Sequence, residues 1–318
     1  MNRWKSGIMG VVVGDALGCP VQFESRSRVA QHPVLGMRGY GTFNLPAGSW
    51  TDDSSMTLAL LESIRRTGGI DCRVIMDRFV RWLDDGEFTP YGYAYDVGGI
   101  TRMALYRYKR GVEPTECGGR DPGDNGNGSL MRIMPAVLYC VDEGLPDAEA
   151  IDIIHRVGSL THGHMRSNIA CGLYTFMAKA ILSGEGALAS RMQAGIDEGF
   201  RFYEAWIADM PQNAEDAKQD LRCYGDLREL TPFGALAAED IQSGGYVVET
   251  LEAAVWSLLN TDSFEAALLK AVNLGDDTDT VGAVAGGLAG LFYGYDAIPG
   301  AWLDAIKRRD WIEALCEG

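Results

Sequence analysis

Two segments of the 318-residue sequence carry glycine at every fourth position, and this spacing constrains the fold more than any other feature. The first segment has three such glycines and the second has four: Gly10, Gly14 and Gly18, then Gly282, Gly286, Gly290 and Gly294. Glycine lowers helix stability, so a helix that repeats it on one face needs a packing reason. The second segment is apolar from 281 to 293, which is 13 residues and too short to span a membrane. We therefore expect two core helices whose backbones approach closely.

The rest of the sequence also has helical periodicity. In segment 246–259, for example, apolar residues recur at helical spacing on one face, whereas the alternating patterns typical of strands are scarce throughout. We predict a compact all-α fold with orthogonally packed helices, in a single domain over residues 1–318. The predicted helices lie near 3–18, 54–67, 72–84, 97–110, 130–142, 147–159, 165–183, 186–209, 213–223, 246–259, 263–273, 279–293 and 301–314.

Composition excludes several classes of function. The sequence has 28 Lys and Arg against 44 Asp and Glu, a formal net charge of −16. Nucleic acids and anionic membranes are normally bound through a basic surface, so neither is an expected partner. The seven cysteines are scattered without a C-x-x-C pair, which argues against a zinc site or a disulfide framework. No signal peptide is visible. We expect a cytoplasmic monomer with reduced thiols.

Two acidic clusters, at 50–53 and 276–280, each precede a helix-forming run and are therefore expected at helix N-termini. If the two glycine-rich helices pack together, the clusters meet and bring up to five carboxylates to one point. Such charges repel strongly unless a hard divalent cation with oxygen ligands compensates them. Helix capping is the alternative interpretation. The second cluster, however, holds more acceptors than one helix start can use.

The glycine-rich segment 118–129 is the best candidate for binding a diphosphate. Glycines let backbone N–H groups approach phosphate oxygens, and a helix beginning near Ser129 would point its N-terminus at them. The segment is not a P-loop, because no G-K-[ST] follows, nor a Rossmann turn, because no strand precedes it. A plain flexible loop is the alternative.

Five blocks of the sequence resemble, in their order, the signature blocks of the ADP-ribosylglycohydrolases. They are Gly14–Pro20, Trp50–Asp53, Asn127–Arg132, Thr161–His162 and Gly275–Thr280. The resemblance implies an all-α fold with a cleft that holds two metal ions, Mg²⁺ or Mn²⁺. It also implies a hydrolase that removes ADP-ribose from a modified protein.

The resemblance implies roles for individual residues, in these blocks and in the segments 118–129 and 244–247. The implied metal ligands are Thr51, Asp52, Asp53, Asp277, Asp279 and Thr280. The implied substrate contacts are Gly126, Asn127, Gly128, Ser129, Met131, His162 and Tyr246, the last resembling a tyrosine that stacks on adenine. A structural histidine and a core aromatic residue are the alternatives for the last two positions.

The sequence departs from the family pattern at two positions. Asp276 stands where the family block usually has a second glycine, and we expect it beside the ligands or facing solvent. Gln22 stands where the family often has a glutamate implicated in cleaving serine and poly-ADP-ribose linkages. An amide cannot act as a general acid or base, so the arginine-directed branch is favoured.

In the arginine-directed branch, the acid/base position matches Asp96, for which a helix cap is the alternative. The expected reaction is hydrolysis of the N-glycosidic bond between ADP-ribose and an arginine side chain, which requires a carboxylate that handles protons. Hydrolysis of O-acetyl-ADP-ribose or of a serine linkage, and non-catalytic binding of ADP-ribose, are the alternatives.

Overall fold

The computed structural model describes residues 2–210 and 212–317, and within these ranges the chain forms 16 α-helices and no β-strand. The predicted all-α fold is confirmed. Two isolated β-bridges join Gly119 to His162 and Gly126 to Tyr246. The helices are α1 (Arg3–Gly18), α2 (Arg26–Gln31), α3 (Asp52–Thr67), α4 (Cys72–Asp85), α5 (Gly99–Lys109), α6 (Met134–Asp142), α7 (Asp147–Gly158), α8 (Met165–Ser183), α9 (Leu188–Ala208), α10 (Ala214–Arg222), α11 (Leu230–Gly234), α12 (Val247–Leu259), α13 (Phe264–Val272), α14 (Thr278–Tyr293), α15 (Gly300–Ala305) and α16 (Arg309–Glu317).

The two glycine-rich helices, α1 and α14, pack directly against each other. A Cβ atom added at Gly10 would lie 2.1 Å from the carbonyl oxygen of Gly286, and one added at Gly18 would lie 2.4 Å from that of Thr278. Because later positions of α1 face earlier positions of α14, the helices run antiparallel. The C-terminal end of α1 therefore lies at the N-terminal end of α14, and the predicted close approach is confirmed.

Helix α14 is the centre of the fold. Every residue from Thr278 to Leu291 is buried, and the helix contacts α1, α8, α12 and α13. A helix that is apolar on all sides needs neighbours on all sides, which explains this central position. Within the described residues, no helix is long and apolar enough to cross a membrane.

The helix boundaries differ from the prediction in three places. The single helix predicted over 301–314 is wrong, because Arg308 adopts a left-handed φ of 56° that separates α15 from α16. Helix α6 begins at Met134 instead of near 130, since residues 128–132 form turns and Pro135 occupies the first helical turn. The short helices α2 and α11 were not predicted, because six and five residues are too few to show a period.

We expect Gly286→Ala to destabilise the protein by about 3 kcal/mol or more, because its Cβ would lie 2.1 Å from the carbonyl oxygen of Gly10. Backbone atoms on both helices leave no flexible side chain that could move aside. Urea unfolding followed by circular dichroism measures the change. Gly300→Ala, with no atom within 4 Å of its added Cβ, is the matched control. Equal stability of the two variants would contradict the role assigned to the glycine contact.

Candidate functional site

The two acidic clusters meet where α3 and α14 begin. Thr51 precedes the first residue of α3, and its Oγ1 lies 3.4 Å from Oδ2 of Asp279 in α14. In the opposite direction, Oγ1 of Thr280 lies 3.5 Å from Oδ2 of Asp53. The close packing of α1 and α14 thus brings together carboxylates that are more than 220 positions apart in the sequence.

Helix capping occupies few of the side chains in these clusters, one of them Asp279, whose Oδ1 accepts from the backbone N–H of Thr280 at 2.9 Å. Thr51 is the N-cap residue of α3, yet its side chain makes no capping hydrogen bond. Asp15, in α1, caps the helix instead: its carboxylate accepts hydrogen bonds from the backbone N–H groups of Thr51 and Ser54, each at 3.0 Å. At the start of α14, the Asp277 side chain likewise makes no capping bond. Most carboxylates of the clusters are therefore left for another role.

Asp15 was not predicted as a site residue, although it belongs to the first family block. It is fully buried, and burial raises the pKa of its carboxyl to about 7, against the opposing effect of hydrogen bonds from Ser54 and Thr51. An aspartate within the apolar run 7–18 of α1 was the available signal. Its contacts could not be predicted from a local pattern, because its partners lie 36 and 39 positions further along the sequence.

Within the described residues, no basic side chain forms an ion pair that would neutralise the negative charge of the two acidic clusters. Burial, and then repulsion between neighbouring carboxylates, raises the pKa values of Asp52, Asp53 and Asp279 well above their usual range. Within the described part of the chain, none of these carboxylates, nor Asp15 or Asp277, forms an ion pair with a basic side chain. Oδ1 of Asp53 is buried without any hydrogen-bond partner.

The donor set suits hard divalent cations. Carboxylate and hydroxyl oxygens are the ligands of Mg²⁺ and Mn²⁺, and the unpaired oxygen of Asp53 is a free acceptor inside the cluster. Among residues 2–210 and 212–317, no three His, Cys, Asp or Glu side chains are already spaced to hold a metal ion. The fold therefore assembles oxygen donors in one place without setting a coordination geometry.

A cleft of about 340 Å³ opens beside the cluster. The cleft is lined by nine of the residues predicted as metal ligands, substrate contacts or proton-transfer group: Asp52, Asp96, Gly126, Asn127, Gly128, Met131, His162, Asp277 and Thr280. Five others lie outside its lining: Thr51, Asp53, Ser129, Tyr246 and Asp279. Ser129 is fully buried with its hydroxyl 3.6 Å from Sγ of Cys171, so this side chain faces the core.

The glycine-rich loop lies against the imidazole of His162. A Cβ added at Gly128 would be 2.7 Å from Cε1 of that ring, and one added at Gly126 would be 3.3 Å from Nε2. Glycine is therefore required for the loop to approach the ring. The expected helix N-terminus beside Ser129 is not there, because α6 begins only at Met134.

Asn127, between these two glycines, connects the loop to the second acidic cluster. Its Nδ2 donates to Oδ2 of Asp277 at 2.7 Å and to Oγ1 of Thr250 at 2.9 Å. Its backbone N–H donates to the carbonyl of Gly245 at 3.1 Å, next to the bridge between Gly126 and Tyr246. The loop is thereby fixed to both α12 and α14.

Asp96 is not the cap of α5, because Gly98 occupies that position. Its backbone is in the left-handed region, with φ of 56°, and its side chain is half-buried on the cleft. Burial raises the pKa of its carboxyl, and the charge of Asp277 adds to this, while the side chains of Gln22 and Asp279 oppose it. A carboxyl of this kind is suited to proton transfer.

Tyr246 stands at the start of α12 and is half-buried. Its hydroxyl accepts a hydrogen bond of 3.0 Å from Nη1 of Arg166, which in turn pairs with Asp220 at 2.8 Å. The phenol ring is thus held at its hydroxyl end by a polar contact.

Comparison with known proteins identifies the family. The sequence pattern of the ADP-ribosylglycohydrolases matches residues 1–318. The chain belongs to this family.

Two relatives and one solved structure illustrate the similarity. ADP-ribosylarginine hydrolase Tri1 of Serratia proteamaculans (strain 568) is 32% identical over 100% of this chain and 78% of that protein. ADP-ribosyl-(dinitrogen reductase) glycohydrolase of Rhodospirillum rubrum is 31% identical over 97% of this chain and 91% of that protein. A solved structure described as an ADP-ribosylglycohydrolase-related protein complex aligns with a TM-score of 0.77 and 34% identity, over 99% of this chain and 95% of that chain.

The backbone conformation at position 276 explains why the family usually has a glycine at this place in the last block. Asp276, which replaces it, has a φ of 60° and an exposed side chain. Its N–H donates to the carbonyl of Glu24, and its own carbonyl accepts from the N–H of Phe23 at 2.6 Å. The backbone of Phe23 is also in the left-handed region, with φ of 65°. Its side chain is 66% exposed and lines the cleft.

We expect Asp276→Ala to destabilise this protein by about 1–2 kcal/mol relative to Asp276→Gly, because alanine disfavours a positive φ whereas glycine does not. Thermal and urea unfolding of the two variants measure the difference. The hydrogen bonds at this position use only the backbone, so both variants retain them. Equal stability would contradict the account of the glycine in this block.

Proposed function

We propose that this member of the family hydrolyses the N-glycosidic bond between ADP-ribose and an arginine side chain of a modified protein. One observation carries the conclusion: the two Asp/Thr clusters, Asp96 and the glycine-rich loop converge on a single cleft. The similarity to ADP-ribosylarginine hydrolase Tri1, at 32% identity, supports the arginine linkage, and the similarity to ADP-ribosyl-(dinitrogen reductase) glycohydrolase, at 31%, supports a modified protein as the substrate.

Two Mg²⁺ or Mn²⁺ ions would be held by the oxygen donors of the two clusters, which have no cationic side chain of their own. The proposed ligands are Thr51, Asp52, Asp53, Asp277, Asp279 and Thr280. When bound, such ions polarise the ribose hydroxyls and lower the pKa of a bound water.

Asp96 is the proposed proton-transfer group. Cleavage of an N-glycosidic bond passes through an oxocarbenium-like state, in which the leaving nitrogen gains a proton and the attacking water loses one. Because burial raises the pKa of Asp96, its carboxyl can hold a proton closer to neutral pH than an exposed aspartate can. Asp96 lines the same cleft as Asp52, Asp277 and Thr280, where the substrate is proposed to bind.

Gln22 supports the arginine linkage over the serine linkage. Its Nε2 donates to Oδ1 of Asp277 at 3.2 Å, while its Oε1 is buried without a partner. An amide can orient Asp277 in this way, but it cannot take or give a proton as a carboxylate would. The proton chemistry therefore falls to Asp96.

A substrate panel tests the proposed activity directly. We expect hydrolysis of ADP-ribosyl-arginine with Mg²⁺ or Mn²⁺, loss of that activity in EDTA, and much slower release from ADP-ribosyl-serine and O-acetyl-ADP-ribose, measured as free ADP-ribose. Equal rates with metal and with EDTA would exclude the metal-dependent mechanism. Binding of ADP-ribose without turnover of any substrate would instead favour a non-catalytic member.

Two substitutions separate metal binding from proton transfer. Asp279→Asn should weaken Mn²⁺ binding by more than about 100-fold in calorimetry, because it removes a charged ligand. Asp96→Asn should lower kcat by about 10²–10⁴ while ADP-ribose still binds, because an amide cannot transfer the proton.

The matched control is Asp276→Asn, which removes an exposed carboxylate beside the same cluster and keeps a residue that tolerates positive φ. It should leave both quantities unchanged. Metal affinity lost equally in Asp276→Asn and Asp279→Asn would show that net charge, not ligation, holds the ions.

A further inference from the structure

Behind the cleft, a fully buried guanidinium points at a threonine hydroxyl. Arg132 has no exposed surface, and its Nη2 donates to Oγ1 of Thr161 at 2.7 Å. Its other partners are the carbonyl oxygen of Val157, at 3.3–3.4 Å, and the face of the Phe79 ring, 4.8 Å away. Burial lowers the pKa of Arg132 to about 10, so the group is still charged at neutral pH. A charged guanidinium only donates, so Thr161 accepts this bond.

The direction of the next hydrogen bond follows from the first. Thr161 is fully buried, and its Oγ1 lies 2.8 Å from Nδ1 of His162. The hydroxyl has one hydrogen, and among the described residues Nδ1 is the one atom within hydrogen-bond distance that could accept it. A proton on Nδ1 would make the oxygen the acceptor of both bonds and leave the hydroxyl hydrogen buried without an acceptor, which is costly. Thr161 therefore donates to an unprotonated Nδ1.

The ring of His162 is consequently neutral, with its proton on Nε2. Burial lowers the pKa of His162 to about 3, and the charge of Arg132 adds to this effect. The side chain is 3% exposed, lines the cleft, and has no protein hydrogen-bond partner at Nε2 among the described residues. Nε2 lies beside the loop that contains Gly126 and Gly128.

We propose that the Arg132–Thr161–His162 relay locks His162 in the Nε2–H tautomer and presents it as a fixed donor to a diphosphate oxygen of the ADP-ribosyl ligand. The diphosphate is favoured because Nε2 lies against the glycine-rich loop, whose backbone can approach phosphate closely. The identity of the ligand rests on the proposed function; the tautomer does not. Arg132 and Thr161 are positioning residues, which act on the ligand only through His162.

The tautomer is tested in the ligand-free protein. Long-range ¹H–¹⁵N spectra of the ¹⁵N-labelled full chain, with His162 assigned from His162→Gln, should show an unprotonated Nδ1 and a protonated Nε2, unchanged between pH 6 and pH 8. Thr161→Val, which removes the hydroxyl but keeps the shape, should give a mixture of tautomers. Thr161→Ser should restore the single form. A proton on Nδ1 in the unsubstituted protein would overturn the proposal.

Binding of ADP-ribose and of ADP, measured by calorimetry, tests the ligand contact. Thr161→Val should weaken both by about 5–10-fold, the size expected for one misdirected hydrogen bond, and Thr161→Ser should recover the affinity. Thr175→Val is the matched control, since the Thr175 hydroxyl is equally buried but bonds the Cys171 carbonyl of its own helix.

The possible failures test the diphosphate contact, the positioning role and the proposed function separately. Weakened binding of ADP-ribose but not of ADP would overturn the diphosphate assignment in favour of the distal ribose. Equal losses in Thr161→Val and Thr175→Val would overturn the positioning role. Absence of hydrolysis with the tautomer intact would count against the proposed function alone.

Discussion

The contact between α1 and α14 at their glycines sets the positions of the acidic groups that these two helices carry. Asp15 is carried by α1, and Asp279 and Thr280 by the first turn of α14, so the antiparallel backbone contact sets their separation directly. Side chains larger than hydrogen at Gly10 or Gly286 would separate the helices and the acidic groups with them. The packing of the two helices and the arrangement of the acidic groups therefore depend on the same glycines. Glycine lowers the stability of α1 and α14 as helices, and the burial of α14 on all sides offsets this loss.

The third helix of the site, α3, is attached through its N-terminus. Its orphan N–H groups are satisfied by Asp15 from α1 instead of by its own N-cap residue Thr51. A cap supplied by another helix fixes position as well as satisfying donors. The hydroxyl of Thr51 lies among three carboxylates, 3.1 Å from Oδ1 of Asp15, 3.2 Å from Oδ2 of Asp53 and 3.4 Å from Oδ2 of Asp279. The like charges assembled in this way are costly without a counter-ion, which is the physical reason for proposing divalent metals here.

Local patterns in the sequence predict the elements of this fold but not the contacts between them. Helices α1 and α14 are predictable from periodicity and glycine spacing, because both signals lie within one segment. The capping role of Asp15 depends on a partner 36 positions away, which no local pattern contains. The break at Arg308 and the late start of α6 are likewise decided by surroundings, since the segments 301–314 and 130–142 are helical in period throughout. Ser129 was predicted as a ligand contact because its neighbours in the sequence match the family block, but its side chain faces Cys171.

An acidic chain that binds an anionic ligand must supply hydrogen-bond donors without placing a cation among its own carboxylates. A guanidinium at the cleft surface would pair with Asp52 or Asp277 and compete for the oxygens proposed to hold metal. The relay avoids this conflict, because Arg132 keeps its charge behind the ring and only a neutral N–H of His162 reaches the cleft. Backbone N–H groups of the glycine-rich loop add donors of the same neutral kind. The carboxylates and the anion-binding donors can therefore share one cleft, since the positive charge that balances both is left to the ions proposed between them.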